Sequence, residues 1–165
     1  MPKGKESLEK LYVEQLRDLY SGEEQILEAL PKLQQKATHP DLKRAFQQHY
    51  QQTEQHVARL EKIFENLGMK SDGPECKGMK GIIAEGAEVM QEFNDSDVLD
   101  AALISAAQRV EHYEMAGYGC ARTYANMLGL GEQMDLLQRT LDEEGETDHK
   151  LTELAESTIN IDALK

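Results

Sequence analysis

Several residue types and patterns are scarce in this 165-residue chain, and each absence narrows the class of protein. The sequence has no Trp, only four Pro, and no alternation of apolar and polar residues that would indicate a half-buried strand. Its periodic stretches are rich in Ala, Glu, Gln, Leu and Lys, which favour helix. We therefore expect an all-α protein.

Cysteines and long apolar runs are also scarce. Cys76 and Cys120 are too few and too far apart in sequence for a disulfide framework or a Cys-x-x-Cys site, so we expect two free thiols. No apolar run reaches the ~18 residues of a membrane-spanning helix, and the first six residues lack the apolar core of a signal peptide. We expect a cytoplasmic protein with no membrane partner.

Positive charge is the third shortage. The chain has 18 Lys and Arg against 31 Asp and Glu, which gives a formal net charge of −13. Nucleic-acid binding depends on basic side chains that displace counterions from phosphates, so we expect no nucleic-acid partner. The length and a hydrophobic content of 39% suit one domain over residues 1–165 with a substantial core.

Apolar residues recur in steps of three and four, which predicts four long helices and one short helix. The expected segments are Ser7–Ala37, Asp41–Leu67, Cys76–Phe93, a third long helix from caps at Asn94–Asp97 to Gly129, and Glu132–Ser157. Gly68 is the expected end of the second helix, and Pro31 is expected to kink the first. Two hairpins joined by a long link predict a four-helix bundle, with the short fifth helix inside the crossover.

Each long helix carries polar residues near its middle, where its inward stripe should be apolar. These residues are Glu23; His49, Thr53 and His56; Glu111 and Glu114; and Glu144 and Asp148. Antiparallel helices of similar length bring their midpoints together in a bundle. The sequence therefore predicts one polar layer across the centre of the core.

Such a layer needs neutralisation. An uncompensated buried ion costs several kcal/mol, against a total stability of roughly 5–15 kcal/mol. Two divalent metal ions would bring four positive charges, and carboxylate and imidazole ligands suit iron, manganese or zinc. Bundle cores are a known setting for carboxylate-bridged metal pairs. The candidate ligands are Glu23, His49, His56, Glu111, Glu114, Glu144 and Asp148.

Other roles stay open for several of these residues. His49 and His56 could be hydrogen-bonded core histidines, and Glu111 and Asp148 could face solvent or pair with a neighbouring basic residue. His112 is expected at most to support the site. The tyrosines expected as core aromatics with hydrogen-bonded hydroxyl groups are Tyr20, Tyr113 and Tyr118.

Three stretches carry a resemblance to a known family. Tyr20–Gln25, Ala101–Glu114, and Leu141–Glu144 with Asp148 resemble the bacterial stress-associated YciE/YciF family, also called DUF892. The run Gln-Arg-Val-Glu-His-Tyr-Glu is the most specific part. The resemblance implies a ferritin-like four-helix bundle related to rubrerythrin, often a homodimer, whose biochemical role is poorly defined.

The chain departs from the ligand pattern of ferritin-like di-iron proteins, which is Glu, Glu-x-x-His, Glu, Glu-x-x-His on successive long helices. Gln52 stands where a Glu is expected, with His56 four residues later, and Glu144 is followed by Asp148 and no His. We expect a dinuclear site, with iron favoured, and oxygen, peroxide or iron handling. The alternative is a non-catalytic structural or stress module with a water-filled polar layer. The sequence does not indicate a substrate.

Overall fold

The computed structural model describes residues 3–94 and 98–165. Five helices account for most of them: α1 (Lys3–Lys36), α2 (Pro40–Leu67), α3 (Lys77–Glu92), α4 (Leu99–Met127) and α5 (Gly131–Leu154). After α5 the chain continues through a π-helical turn, Ala155–Ile159, and an α-helical turn, Asn160–Asp162. No strand occurs in these two described ranges, so the all-α prediction is confirmed.

Both ends of α2 show typical cap chemistry. Gly68 adopts a left-handed conformation with φ +65°, and its N–H donates to the Glu65 carbonyl at 2.9 Å. His39 Nδ1 accepts from the Asp41 N–H at 3.2 Å and so caps α2, ahead of Pro40 in the first turn. Helix α1 begins at Lys3, so the predicted start at Ser7 is wrong by four residues. Pro31 lies within the continuous α1.

Three of the four predicted cap residues of α4, Asp95, Ser96 and Asp97, lie outside the described residues. The N-terminal end of α4 is instead fixed by Asp100. Its carboxylate accepts hydrogen bonds from Thr38 N–H (2.8 Å), Thr38 Oγ1 (2.6 Å) and His39 N–H (2.7 Å). This buried carboxylate thereby joins α4 to the link between α1 and α2.

The helices pack as the predicted four-helix bundle. Helices α1 and α2 form one hairpin and α4 and α5 the other, with α1 beside α4 and α2 beside α5. The crossover from α2 to α4 contains α3, which packs on α4 and α1. The fold is thus a ferritin-like bundle with one long crossover that carries a short fifth helix.

The apolar core is divided into two clusters. One cluster contains Phe46, Leu103 and Leu151 near one end of the bundle, and the other contains Leu16, Ile63 and Leu137 near the other end. Between them lie the buried polar side chains Glu23, His49, Thr53, His56, Glu111, Glu114 and Glu144. The structure therefore contains the polar layer that the sequence predicts.

Candidate metal centre

The four long helices each contribute to the polar layer. Among the described residues, two groups of side chains have potential ligand atoms that all lie within 4.8 Å of one another. The first is His49, Glu111, Glu114 and Glu144, and the second is Glu23, His56 and Glu144. Glu144 is the member that both groups share.

Glu144 lies between the two histidines of α2. Its Oε1 is 2.8 Å from His56 Nδ1, and its Oε2 is 3.9 Å from His49 Nε2. The two histidines are seven residues apart, ~10.5 Å along the helix axis. Their rings converge, with centroids 6.4 Å apart. A carboxylate with one oxygen toward each imidazole can bridge two neighbouring metal positions.

The remaining carboxylates complete the two groups. Glu111 Oε1 is 3.1 Å from His49 Nε2, and Glu23 Oε1 is 3.3 Å from His56 Nδ1. Tyr118 donates a hydrogen bond to Glu23 Oε1. Glu114 has no hydrogen-bond partner for either oxygen among the described protein groups. Each of these carboxylates is at most 2% exposed, so the oxygens also lack bulk water.

Unpaired oxygens are the strongest sign that the cluster is built for a ligand. Within the described chain, Glu23 Oε2, Glu111 Oε2 and both oxygens of Glu114 make no hydrogen bond to a protein group. Buried polar atoms are satisfied in the large majority of cases, and a charged one without a partner is costly. A metal ion would satisfy these lone pairs and would neutralise their charge.

Proton positions balance the charges when no metal is present. Burial disfavours the charged imidazoles, but the neighbouring carboxylates outweigh it and raise the pKa of His49 to about 9 and that of His56 to about 10. Burial raises the pKa of Glu111 to about 8 and raises that of Glu114 well above its ordinary value. Burial would also raise the pKa of Glu144, but His56 and His49 hold it down, at about 2.

A second set of contacts supports the cluster from outside. Glu143 Oε2 is 3.0 Å from His56 Nε2, and Arg59 donates to both Glu143 oxygens at 2.6 and 2.9 Å. The contacts from Arg59 through Glu143 fix the orientation of the His56 ring. Burial opposes ionisation of Glu143, but Arg59 lowers its pKa below the ordinary value.

Asp148 occupies a different place from the other candidates. It is half-buried, lies 3.3 Å from His112 Nε2, accepts a hydrogen bond from Gln108 at 3.1 Å, and belongs to neither potential ligand group. The position next to it, Thr147, is buried instead, and its hydroxyl lies 3.4 Å from Gln52 Oε1. The prediction that Asp148 faces the core is therefore wrong, because the preceding residue, Thr147, faces the core instead.

Other predictions for this region can be compared directly. Tyr20, Tyr113 and Tyr118 all have hydrogen-bonded hydroxyl groups, with Glu61, Asp18 and Glu23 respectively. His112 is exposed and contacts Asp148 only from outside the cluster. Sequence analysis missed Glu143 and Arg59, although Glu143 precedes Glu144 and Arg59 follows His56 by one helical turn on the same face.

Comparison with known proteins agrees with the fold. A helical bundle with a buried layer of carboxylates and imidazoles is the class of protein that these observations define. The chain belongs to the family described as a domain of unknown function, DUF892, whose model matches residues 7–164. Protein YciF of Escherichia coli is 39% identical over 155 residues, which is 93% of each chain.

Solved structures have the same helical-bundle fold. The crystal structure of the E. coli stress protein YciF has a TM-score of 0.88 and 40% identity, covering 93% of this chain and 97% of that one. YcfI of Rhodopseudomonas palustris, described as a candidate structural protein, has a TM-score of 0.86 and 38% identity. The match covers 92% of this chain and 97% of that one. A protein from Xanthomonas campestris shares the fold, with a TM-score of 0.74 at 23% identity. The match covers 94% of this chain and 95% of that one.

Two further points concern location and assembly. Among the described residues, no helix combines the length and the apolar composition needed to cross a bilayer. Metal identity, a homodimer, a cytoplasmic location and the absence of a nucleic-acid partner stay predictions.

Proposed function

We propose that this protein binds two divalent metal ions in the centre of its bundle, with Glu144 shared between them. The observation that carries the proposal is the pair of buried ligand groups, each drawn from more than one helix, that meet at Glu144. Iron is the favoured metal, and manganese or zinc also suit this mixture of carboxylate oxygens and imidazole nitrogens.

The charges of the ligand side chains also favour two metal ions per chain. The two groups together contain four carboxylates, Glu23, Glu111, Glu114 and Glu144, and two imidazoles. Two divalent ions supply four positive charges, which balance four carboxylates when both histidines are neutral. Without metal, the same balance requires four protons, one on each imidazole and one each on Glu111 and Glu114. Metal binding therefore replaces bound protons and satisfies the unpaired oxygens together.

The residues around the cluster have supporting roles in this proposal. Glu143, held by Arg59, orients His56, and the Tyr118 hydroxyl orients Glu23. Burial raises the pKa of Tyr118 well above its ordinary value, so the hydroxyl stays protonated and keeps donating. A bound pair of iron or manganese ions would supply one-electron redox chemistry toward oxygen or peroxide, which fits a role in stress protection.

A second function is a structural or stress module without catalysis. It is favoured by the internal pairing of the layer, since His56, Glu143 and Arg59 already form a charged chain and His49 is close to Glu111. The relatives give names that fit both: YciF of E. coli is called a stress protein, and YcfI of R. palustris a candidate structural protein.

Metal content separates the two functions. Protein purified without added metal and then equilibrated with ferrous iron or manganese should hold about two ions per chain by elemental analysis. Glu144→Gln should lose most of both, because it removes the shared ligand. Glu146→Gln changes an exposed carboxylate on the same helix and should leave the content unchanged. A stable wild-type protein that stays empty would favour the structural module.

A further inference from the structure

A cleft of about 290 Å³ runs between α1, α3 and α4 toward the metal centre. Its walls are mainly apolar, with Ile26 and Leu30 from α1 and Ile83 and Ala87 from α3 among the lining residues. An apolar cavity of ~150 Å³ is enough to hold benzene. By the same ratio this cleft has room for a ligand of roughly 12 carbon atoms.

Small residues create this space. Gly86 and Ala87 on α3 and Ala106 and Ala107 on α4 line the cleft where larger side chains would fill it. A Cβ built at Gly86 would lie 3.6 Å from the Ala106 Cβ, which is ordinary contact. The two helices therefore approach closely here without closing the space beside them.

Two side chains of the polar layer lie at the inner end of the cleft. His49 is 3% exposed and Glu111 is 1% exposed, and both line the cleft. His49 Nδ1 and Glu111 Oε2 make no hydrogen bond to a described protein group. The cleft therefore joins an apolar wall to two buried polar atoms that lack partners, which is the usual composition of a small-molecule site.

The charges at the cleft limit the kind of ligand. Glu28, Lys32, Glu75 and Lys80 are the charged residues of its exposed part, and Lys80 pairs with Glu75 at 2.8 Å. Both signs are present, so the mouth does not select an ion of one charge. The apolar walls and the burial of the inner end disfavour any ion.

We propose that this cleft binds an uncharged aliphatic molecule with one polar end, such as a medium-chain alcohol or aldehyde. The chain would lie along the apolar walls, and the polar end would face His49 and Glu111. The inference rests on the proposed function only for its last step, in which this ligand reaches the metal group that contains those two residues.

The small apolar fluorophore 1-aminonaphthalene, whose ten carbon atoms fit the cleft, tests the binding step on metal-free protein. We expect a saturable rise in fluorescence at one site per chain and displacement by 1-octanol. Ala87→Phe should fill the cleft and weaken binding at least tenfold. Ala84→Phe adds the same ring at an exposed position of α3 outside the cleft and should change affinity less than twofold.

Ile83→Trp is a second filling variant if Ala87→Phe does not fold, with helicity and melting temperature measured for each. Absence of saturable binding in the wild type, or equal binding by the filled and control variants, overturns the proposal.

Cobalt(II) tests the link to the metal centre. In cobalt-loaded protein, 1-octanol should change the visible absorption spectrum of the wild type and Ala84→Phe but not of Ala87→Phe. If cobalt binds and octanol saturates the cleft without a spectral change, the link is wrong. If cobalt does not bind, the proposed function fails, while the fluorophore titration still decides whether the cleft is a binding site.

Discussion

At the scale of single residues, Glu144 has the central place. It is fully buried, approaches both histidines of α2, and is common to both potential ligand groups. Its carboxylate stays ionised without metal because two protonated imidazoles flank it, and burial alone would favour the neutral acid. The other acids of the layer each belong to one group, which makes the two halves separable by mutation.

The first prediction uses that separation. Glu23→Gln should remove about one ion per chain, because Glu23 belongs only to the group with His56. Glu114→Gln should remove about one ion from the other group. Elemental analysis of the two variants checks this, with Glu146→Gln as the surface control. Equal and complete loss in both variants would mean that the two positions do not load separately.

Tyr118 gives the second prediction. Tyr118→Phe keeps the ring in its packed position and removes only the hydroxyl that donates to Glu23 Oε1. Loss of such a supporting contact typically lowers metal affinity by about 10-fold to 100-fold. Competition with a chromophoric chelator measures the change. Tyr124→Phe, also on α4, is the matched control, and an effect as large there would exclude a specific role for the Tyr118 hydroxyl.

At the scale of helices, the short α3 is held by its contact with α4. Tyr113 on α4 lies against the first turn of α3, with its hydroxyl 3.1 Å from Cys76 Sγ and donating to Asp18 on α1 at 3.0 Å. Cys76 Sγ also accepts from the Met79 N–H at 3.4 Å as the cap of α3. This contact requires a glycine at position 78, because a Cβ there would lie 2.6 Å from the Tyr113 ring.

Alanine substitutions at two glycines of α3 should therefore have opposite effects on the free energy of unfolding. Gly78→Ala should destabilise the fold by about 1–3 kcal/mol, because the new methyl group must displace Tyr113. Gly81→Ala meets nothing within 4 Å and should stabilise by up to about 1 kcal/mol through helix propensity. Urea unfolding of both variants checks the signs. A neutral or stabilising Gly78→Ala would contradict the described position of α3.

The same scale explains what could be predicted from the sequence. Apolar spacing was enough for five helices and for the inward positions of Glu23, His49, His56, Glu111, Glu114 and Glu144. It was not enough for α5, where Thr147 is buried in place of Asp148, because a stripe of mixed polar residues does not fix the helical phase to within one residue. Glu143 and Arg59 were missed because their pairing links two helices.

At the scale of the whole molecule, a polar layer separates two apolar clusters. The two clusters supply the stabilising burial, and the layer opposes it unless its charges are balanced. Stability is therefore coupled to whatever balances them, which is protons in the metal-free protein and, in our proposal, metal ions in the loaded protein. The pH dependence of stability should reveal this coupling.

The metal-free protein should lose stability as pH rises from about 5 to 9. Folding raises the pKa of Glu111 from 4.5 to about 8, so the folded state binds the extra proton across that range. The pKa of His49 rises from 6.5 to about 9 and that of His56 to about 10, so their stabilisation is lost as pH rises through those values. All three shifts act in the same direction.

Melting temperatures between pH 5 and 9 check this prediction. A change of about 1 kcal/mol corresponds to ~2–4 °C at this chain length. Metal-loaded protein should show the opposite trend, because ligands must lose protons to bind and affinity therefore rises with pH. Glu111→Gln removes one titrating group and should flatten the metal-free curve. A metal-free protein that gains stability over this range would contradict the assigned protonation of the layer.

The most direct measurement of the central claim is an anomalous-difference map from crystals grown with manganese or ferrous iron, with data collected at the metal absorption edge. We predict two peaks in the centre of the bundle, one beside His49, Glu111 and Glu114 and one beside Glu23 and His56, with Glu144 between them. A map from metal-equilibrated crystals with no peak in this layer, or with peaks only at surface carboxylates, would contradict the account.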